Sequence, residues 1–309
     1  MELKPKVTIV CTVYNHALYL RDCLDGFVMQ QTDFPFEAIV HDDCSTDESQ
    51  SIIAEYSAKY PDIIKPIYET ENQYSHHDGS LRRAVEKHIR GEYVAICEGD
   101  DYWIDSHKLQ RQIDFLEANP DYTLSFHAVR IESDRKDKAG LLSGLHPGEY
   151  SADDIIKNWS VPTCSAVMKS EYYTGRPYDK RFVVGDNVIW LNCLKHGKAY
   201  CHPEQMAVYR RLSTGWTYRN YSRTKDALAV CRKYMTHLEL LAGFFPKVAD
   251  AGIREKQMEY ASRIVLMEAA LRKPGFTVSY FKYLRQFGVA FFVKFNKVVA
   301  QKVATRLKR

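Results

Sequence analysis

No stretch of the 309 residues reaches the ~18–20 consecutive apolar positions that a membrane-spanning helix needs. No two cysteines stand in a C-x-x-C pair, although there are eight, at 11, 23, 44, 97, 164, 193, 201 and 231. Scattered thiols of this kind argue against a zinc site or a disulfide framework and suit a reduced cytosol. The segment after the first apolar run, TVYNHALYLRD (12–22), contains no glycine cluster that would cradle a phosphate. No Ser/His/Asp or Cys/His arrangement points to a covalent nucleophile. The beginning, MELKPKVTIVCTVYN, sets two lysines before an apolar run as a signal peptide would, but Thr8, Thr12 and Asn15 interrupt it and no small-residue cleavage site follows. It reads as a first β-strand.

Acid is missing from the last stretch. Residues 269–309 hold ten of the 43 Lys/Arg and none of the 39 Asp/Glu, which leaves 33 basic against 39 acidic side chains elsewhere. Apolar residues there recur at 281, 284, 292, 295, 299, 303 and 307, with Lys282, Arg285, Lys294, Lys297, Lys302 and Arg306 beside or opposite them. A basic amphipathic helix of this type suits the surface of an anionic membrane, or docks on the main body with its basic face in water. Nucleic acid is the weaker partner, because the acidic main body opposes it.

The first hundred residues alternate between short β-branched apolar runs and helical periodicity. KVTIVCTVYN (6–15), FEAIVHDD (36–43), KPIYE (65–69) and EYVAICEG (92–99) are predicted strands, with helices over 17–31, after Thr46 and Asp47, and over 80–90. That alternation predicts a mostly parallel sheet flanked by helices. Next come a helix at 107–118, a strand at 122–131, a poorly periodic loop at 132–150, a short helix after 151, the segments PTCSAVMKS and VVGDNVIWLNCLKHG, and the strand AVYRRL. Three helices are predicted beyond: 222–243, 252–272 and 276–307. The chain divides into an α/β domain over 1–220, with halves 1–105 and 106–220, and a helical appendage over 221–309.

Ligands of parallel sheets bind outside the carboxyl ends of the strands. Asn15, Asp42, Asp43, Glu98, Asp100 and Asp101 all fall at such ends, so they are predicted to converge on one rim. Crowded carboxylates repel one another. Hard divalent cations such as Mg²⁺ and Mn²⁺ take carboxylate oxygens and share substrate phosphates; a solvated acidic turn is the plainer alternative. A third acidic element, Asp186 in VVGDN, follows another apolar segment, where it can equally begin a helix.

In their order and spacing, VTIVCTVYN, HDDCSTDES, GEYVAICEGDDYW and VVGDN resemble the family 2 glycosyltransferases with the GT-A fold, over residues 5–215. EGDDYWIDSHKLQRQIDFLEANPDY is similar to bacterial members that build surface polysaccharides. The resemblance implies an inverting transfer from a nucleotide-sugar donor, with UDP favoured, to a hydroxyl of a glycan or polyprenyl-linked glycan. It places Thr12, Tyr14 and Asn15 at the nucleotide, Asp43 on the uracil imide with Asp42 beside it, and Arg82 or Arg83 near the base or phosphates. Glu98-Gly99-Asp100-Asp101 overlays the D-x-D element, with Asp101 on a divalent metal (Mn²⁺ or Mg²⁺) and Asp100 on the metal, sugar or ribose. Asp186 matches the catalytic base.

Many relatives carry a histidine where Leu212 stands here; either Arg210 or Arg211 replaces that metal or diphosphate contact, or the metal site has fewer protein ligands. Tyr102, Trp103 and Trp216 are available to stack on sugar faces or to pack in the core. The implied location is the cytoplasm, peripheral on the inner face of the plasma membrane. Two alternatives remain: a nucleotidyltransferase, against which the missing glycine cluster counts, and a non-catalytic carbohydrate-binding scaffold.

Overall fold

A computed structural model describes residues 4–134, 145–158, 160–213, 227–273 and 275–307, with side chains through 300. Strand β1 (Val7–Val13) is central, pairing in parallel with β2 (Phe36–Asp42) on one side and β4 (Tyr93–Ile96) on the other; β3 (Ile64–Tyr68) extends the parallel set beyond β2. The alternation of β1 explains its burial on both faces. Val7, Ile9, Cys11 and Val13 pack with residues of α1 (Leu20–Val28), α2 (Ser49–Lys59) and α4 (Lys108–Ala118). Val10 faces the opposite core, beside Phe126, Ile155 and Trp190. Each fully buried aliphatic side chain contributes roughly 1.5–3 kcal/mol against exposure.

The second half continues the sheet with two strands reversed. β9 (Val167–Lys169) lies antiparallel between β4 and β6 (Tyr122–His127); β10 (Lys198–His202) runs parallel to β6, and β8 (Gly148–Tyr150) closes the edge. A separate three-stranded sheet stands near the rim, with β11 (Ala207–Arg211) between β5 (Tyr102–Trp103) and β7 (Arg130–Ser133). The expected strand over 122–131 is therefore two, belonging to different sheets. β5, β8, β9 and β10 were not expected from pattern. The first three are too short to show periodicity, and β10 carries Lys198 and His202 at its ends.

Helices α3 (Ser80–Glu86), α5 (Ala152–Asn158), α6 (Ser170–Thr174) and α7 (Gly185–Leu194) complete the α/β body. Beyond it, α8 (Ala227–Phe244) and α9 (Asp250–Ala270) share a core with α5 and α7, built on Leu238, Leu241, Phe245, Ile156, Val188 and Leu191. The single terminal helix expected over 276–307 is broken at Gly288, whose φ of 67° and ψ of −152° suit glycine alone. This separates α10 (Phe276–Phe287) from α11 (Val289–Leu307).

Candidate active site

The carboxyl ends of β1, β2 and β4 open onto one rim. After β4 the chain turns tightly: the Cys97 amide donates to Val10 O at 3.1 Å, Gly99 to Thr12 O at 3.1 Å and Asp101 to Glu98 O at 3.0 Å. Glycine at 99 keeps the turn close, because a Cβ there would lie 2.8 Å from His16 Nδ1 and 2.9 Å from Val13 Cγ2 and would force those side chains to shift. The turn brings one ligand atom each of Glu98, Asp100 and Asp101 within 4.8 Å of the others. Burial, then the charges of Asp100, Asp186 and Asp101, push the Glu98 carboxyl well above its usual range. Burial and Asp100 do the same to Asp101, against the Arg210 amide and the Cys164 thiol beside it.

Asp101 Oδ1 accepts the Arg210 amide at 2.7 Å, while its buried Oδ2 has no hydrogen-bond partner. An unpartnered buried carboxylate oxygen is costly alone, and the three clustered carboxylates are an oxygen donor set of the kind Mg²⁺ or Mn²⁺ prefers. The residues thus fit a hard divalent cation.

Asp186 lies in the first turn of α7 and not at its cap. Thr163 Oγ1 donates to its Oδ2 at 3.4 Å. Burial raises its carboxyl above the ordinary carboxylate range, against that hydrogen bond and the nearby Arg176 charge. Asp186 also contributes to the raised Glu98, so the VVGDN carboxylate and the rim carboxylates share one electrostatic environment. The short turn Thr163–Ser165 touches both sides of it: Thr163 holds Asp186, Cys164 lies against Asp101, and the Cys164 carbonyl accepts Trp103 Nε1–H at 2.8 Å.

The nucleotide side is organised by the second acidic turn. Asp42 Oδ1 accepts the Ser45 amide at 2.9 Å and Gln50 Nε2 at 2.7 Å, so Asp42 holds the turn. Asp43 accepts the amides of Gln73 at 2.7 Å and Tyr74 at 3.1 Å, one on each oxygen. Asn15, at a left-handed φ of 58°, accepts the Thr46 amide at 2.7 Å and staples β1 to this turn. Thr12 is partly buried in β1, and Tyr14 presents a 46% exposed ring just beyond it.

Other expected residues have commitments elsewhere. Arg82 binds Glu86 at 2.7 Å and the carbonyls of Thr174 and Pro177; Arg83 is exposed and paired with Asp78. The Arg210 guanidinium spans Asp22, Glu132 and the Asp100 carbonyl and covers the Tyr102 ring at 4.3 Å. Arg211 follows on β11 opposite Ser133, and Leu212 is partly buried. One expectation fails on burial: Trp103 is 2% exposed, edge-on to Phe27 at 5.0 Å with the Lys108 ammonium 4.2 Å from its ring, so neither face can reach a sugar. Trp216 and much of the 132–150 loop lie outside the described residues.

Two tyrosines at the site escaped the motif reading. The Tyr74 hydroxyl is pushed up to about 12 by burial and by Asp186 and Glu98. Tyr209, on β11, is raised by burial and the Asp101, Glu98 and Asp100 charges. For Tyr209 the strand alternation of AVYRRL was the available signal; Tyr74 opens a three-residue 3-10 turn, too short to show one.

A parallel sheet with acidic turns at its carboxyl ends and an acidic helix start facing them is the architecture of the GT-A fold. Structural comparison agrees. The 1–349 portion of S. aureus TarS, crystallised with UDP, superposes with a TM-score of 0.57 at 16% identity, over 88% of this chain and 75% of that one. The mannosyltransferase PcManGT of Pyrobaculum calidifontis, solved with GDP-Man and Mn²⁺, also gives 0.57, at 19% identity over 95% and 86%.

The sequence profile of glycosyl transferase family 2 matches residues 8–170, more than half of the chain, and the chain belongs to that family. An uncharacterized protein of Mycobacterium tuberculosis is 37% identical over 70% of this chain and 62% of its own length. The putative teichuronic acid biosynthesis glycosyltransferase TuaG of Bacillus subtilis is 29% identical over 74% and 88%. The chain thus spans about three fifths of the length of the first curated relatives it matches.

Proposed function

We propose that this chain is an inverting glycosyltransferase that moves a sugar from a nucleotide-sugar donor to a hydroxyl of a glycan or lipid-linked glycan during surface polysaccharide synthesis. The observation that carries the reading is the convergence of Glu98, Asp100 and Asp101 with Asp186 in one electrostatic environment. A single displacement needs an electrostatic partner for the leaving diphosphate and a base for the incoming hydroxyl, and these two groups supply them. The names of TuaG and TarS, the latter solved with UDP and with UDP-GlcNAc, support a polysaccharide acceptor and a UDP-linked donor.

The donor's base sits between the Tyr14 ring and the 42–43 turn. Asp43 is held by two amides and keeps acceptor capacity for an imide N–H; a thymine imide would meet it equally. Glu98, Asp100 and Asp101 would hold a divalent cation, Mn²⁺ or Mg²⁺, which when bound supplies Lewis-acid neutralisation of the diphosphate. Asp186 then accepts the proton of the acceptor hydroxyl as its oxygen bonds to the anomeric carbon. The bond from that carbon to the diphosphate breaks, and its electron pair leaves with the nucleotide. Thr163 keeps the Asp186 carboxylate oriented for this task.

The test is the anomeric configuration of the product, read by NMR after incubation with candidate UDP-sugars and an acceptor extract. Inversion that depends on Asp186 is expected. Retention, or turnover undiminished in Asp186→Asn, would remove the mechanism.

A further inference from the structure

The terminal helices present an apolar surface to water. Helices α10 and α11 dock on α9 through Tyr283, Phe287 and Phe291, all buried, with Leu284 and Phe295 partly covered. The sequence periodicity placed Leu284 and Phe295 on one stripe with Phe281 and Phe292. Within α10 Leu284 packs inward while Phe281 is exposed, and within α11 Phe295 packs inward while Phe292 is exposed. Val278, Phe281, Val289, Phe292 and Val293 are between 49% and 76% exposed. On α10, Val278, Phe281, Lys282 and Arg285 recur at helical spacing on the exposed side. On α11, Val289, Phe292, Val293, Asn296 and Lys297 do the same. Large apolar side chains exposed at helical spacing on each of the two helices mark a contact surface.

Charge selects the occupant. Among the exposed side chains of these faces the ionised ones are Lys282, Arg285 and Lys297, and no Asp or Glu occurs anywhere in 269–309. A second copy of the chain would bring the same positive charge against itself. Nucleic acid offers anions but no apolar phase for Val278, Val289 and Val293, and the acidic main body repels it. Lipid headgroups with acyl chains beneath them match both halves of the surface: shallow insertion of Phe and Val, and attraction of Lys and Arg to anionic phosphate. Among the described residues no helix is long and apolar enough to cross a membrane, so contact through α10 and α11 is interfacial.

We propose that the outer face of α10 and α11 binds the surface of an anionic bilayer. The proposal stands apart from the donor reading, because binding is measured without turnover.

The experiment is co-sedimentation of the full chain with phosphatidylcholine vesicles, with and without phosphatidylglycerol, at low and high salt. Two double variants go beside it, Phe281→Ser/Phe292→Ser and Lys282→Gln/Arg285→Gln. Circular dichroism and Tm, unchanged in both because the altered side chains face outward, show that they are folded. The expected result is salt-sensitive binding to the anionic vesicles that either variant weakens by about tenfold or more. Equal or absent binding to the two vesicle types, or variants that bind as well as the parent, overturns the proposal. So does a concentration-dependent oligomer abolished by Phe281→Ser/Phe292→Ser, which assigns the face to a second copy.

Discussion

The backbone amide of Arg210 donates to Asp101 Oδ1 at 2.7 Å, joining two positions 109 residues apart. The pairing of β11 with β5, Ala207 opposite Trp103 and Val208 opposite Tyr102, delivers that amide. The side chain of the same residue then reaches back to Asp22, Glu132 and the Asp100 carbonyl. Arg210 therefore secures the acidic turn from two directions. Replacing it by methionine keeps the amide but removes the charged hydrogen bonds. We expect a loss of about 1–3 kcal/mol in urea unfolding, together with weaker metal binding as the Asp100 turn loosens.

On the proposed mechanism, removing the Asp186 carboxylate should separate binding from chemistry. Asp186→Asn is expected to lower kcat by about 10²–10⁴-fold, the usual contribution of a positioned base, with nucleotide affinity little changed. The pH dependence follows from the direction of the Asp186 shift. Burial raises its pKa, and only the ionised form accepts a proton, so activity falls as pH drops through that raised value. The Thr163 hydrogen bond acts against burial. Thr163→Val should therefore move the acid limb of the pH–rate profile to higher pH, a change that kcat measured across pH would record.

Trp103 gives a test of burial against sugar stacking. Its indole N–H satisfies the buried Cys164 carbonyl at 2.8 Å. Trp103→Phe leaves that carbonyl unpaired and opens a small void, and should cost about 1–3 kcal/mol. Donor KM should stay within about twofold. A large rise in KM with unchanged stability would return Trp103 to the sugar.

Two buried histidines link stability to acid. Burial lowers His202 and His237 from 6.5 to about 4. Above the unfolded value neither state is protonated there. Below it the unfolded chain takes up protons that the folded chain refuses, so stability falls as pH drops from 6.5 toward 4. His237→Asn can still accept the Val183 amide that now meets Nδ1 at 3.4 Å, and should flatten part of the fall in Tm over that window.

Much of this was legible in the sequence because the physics was local. The runs VTIVCTV, FEAIVHD and YVAI are β-branched and apolar, as strands buried on both faces must be, and their polar termini mark the rim through the carboxyl-end rule. What stayed hidden depends on partners distant in sequence. Arg82 was expected at the donor, but Glu86 and the carbonyls of Thr174 and Pro177 hold it, two of them more than ninety residues away. Trp103 follows the acidic pair directly, yet β5 turns it inward beneath Cys164. Gly288 looked like one position in an amphipathic run, and only its positive φ shows that the run is two helices.

The most direct test of the rim is calorimetric titration of UDP, GDP and dTDP, each with and without Mn²⁺, into wild type, Asp101→Ala and Asp186→Asn. The account predicts Mn²⁺-dependent binding of one nucleotide, lost in Asp101→Ala and retained in Asp186→Asn. Binding of none by the folded wild type, or Mn²⁺-dependent binding that survives in Asp101→Ala, would contradict it.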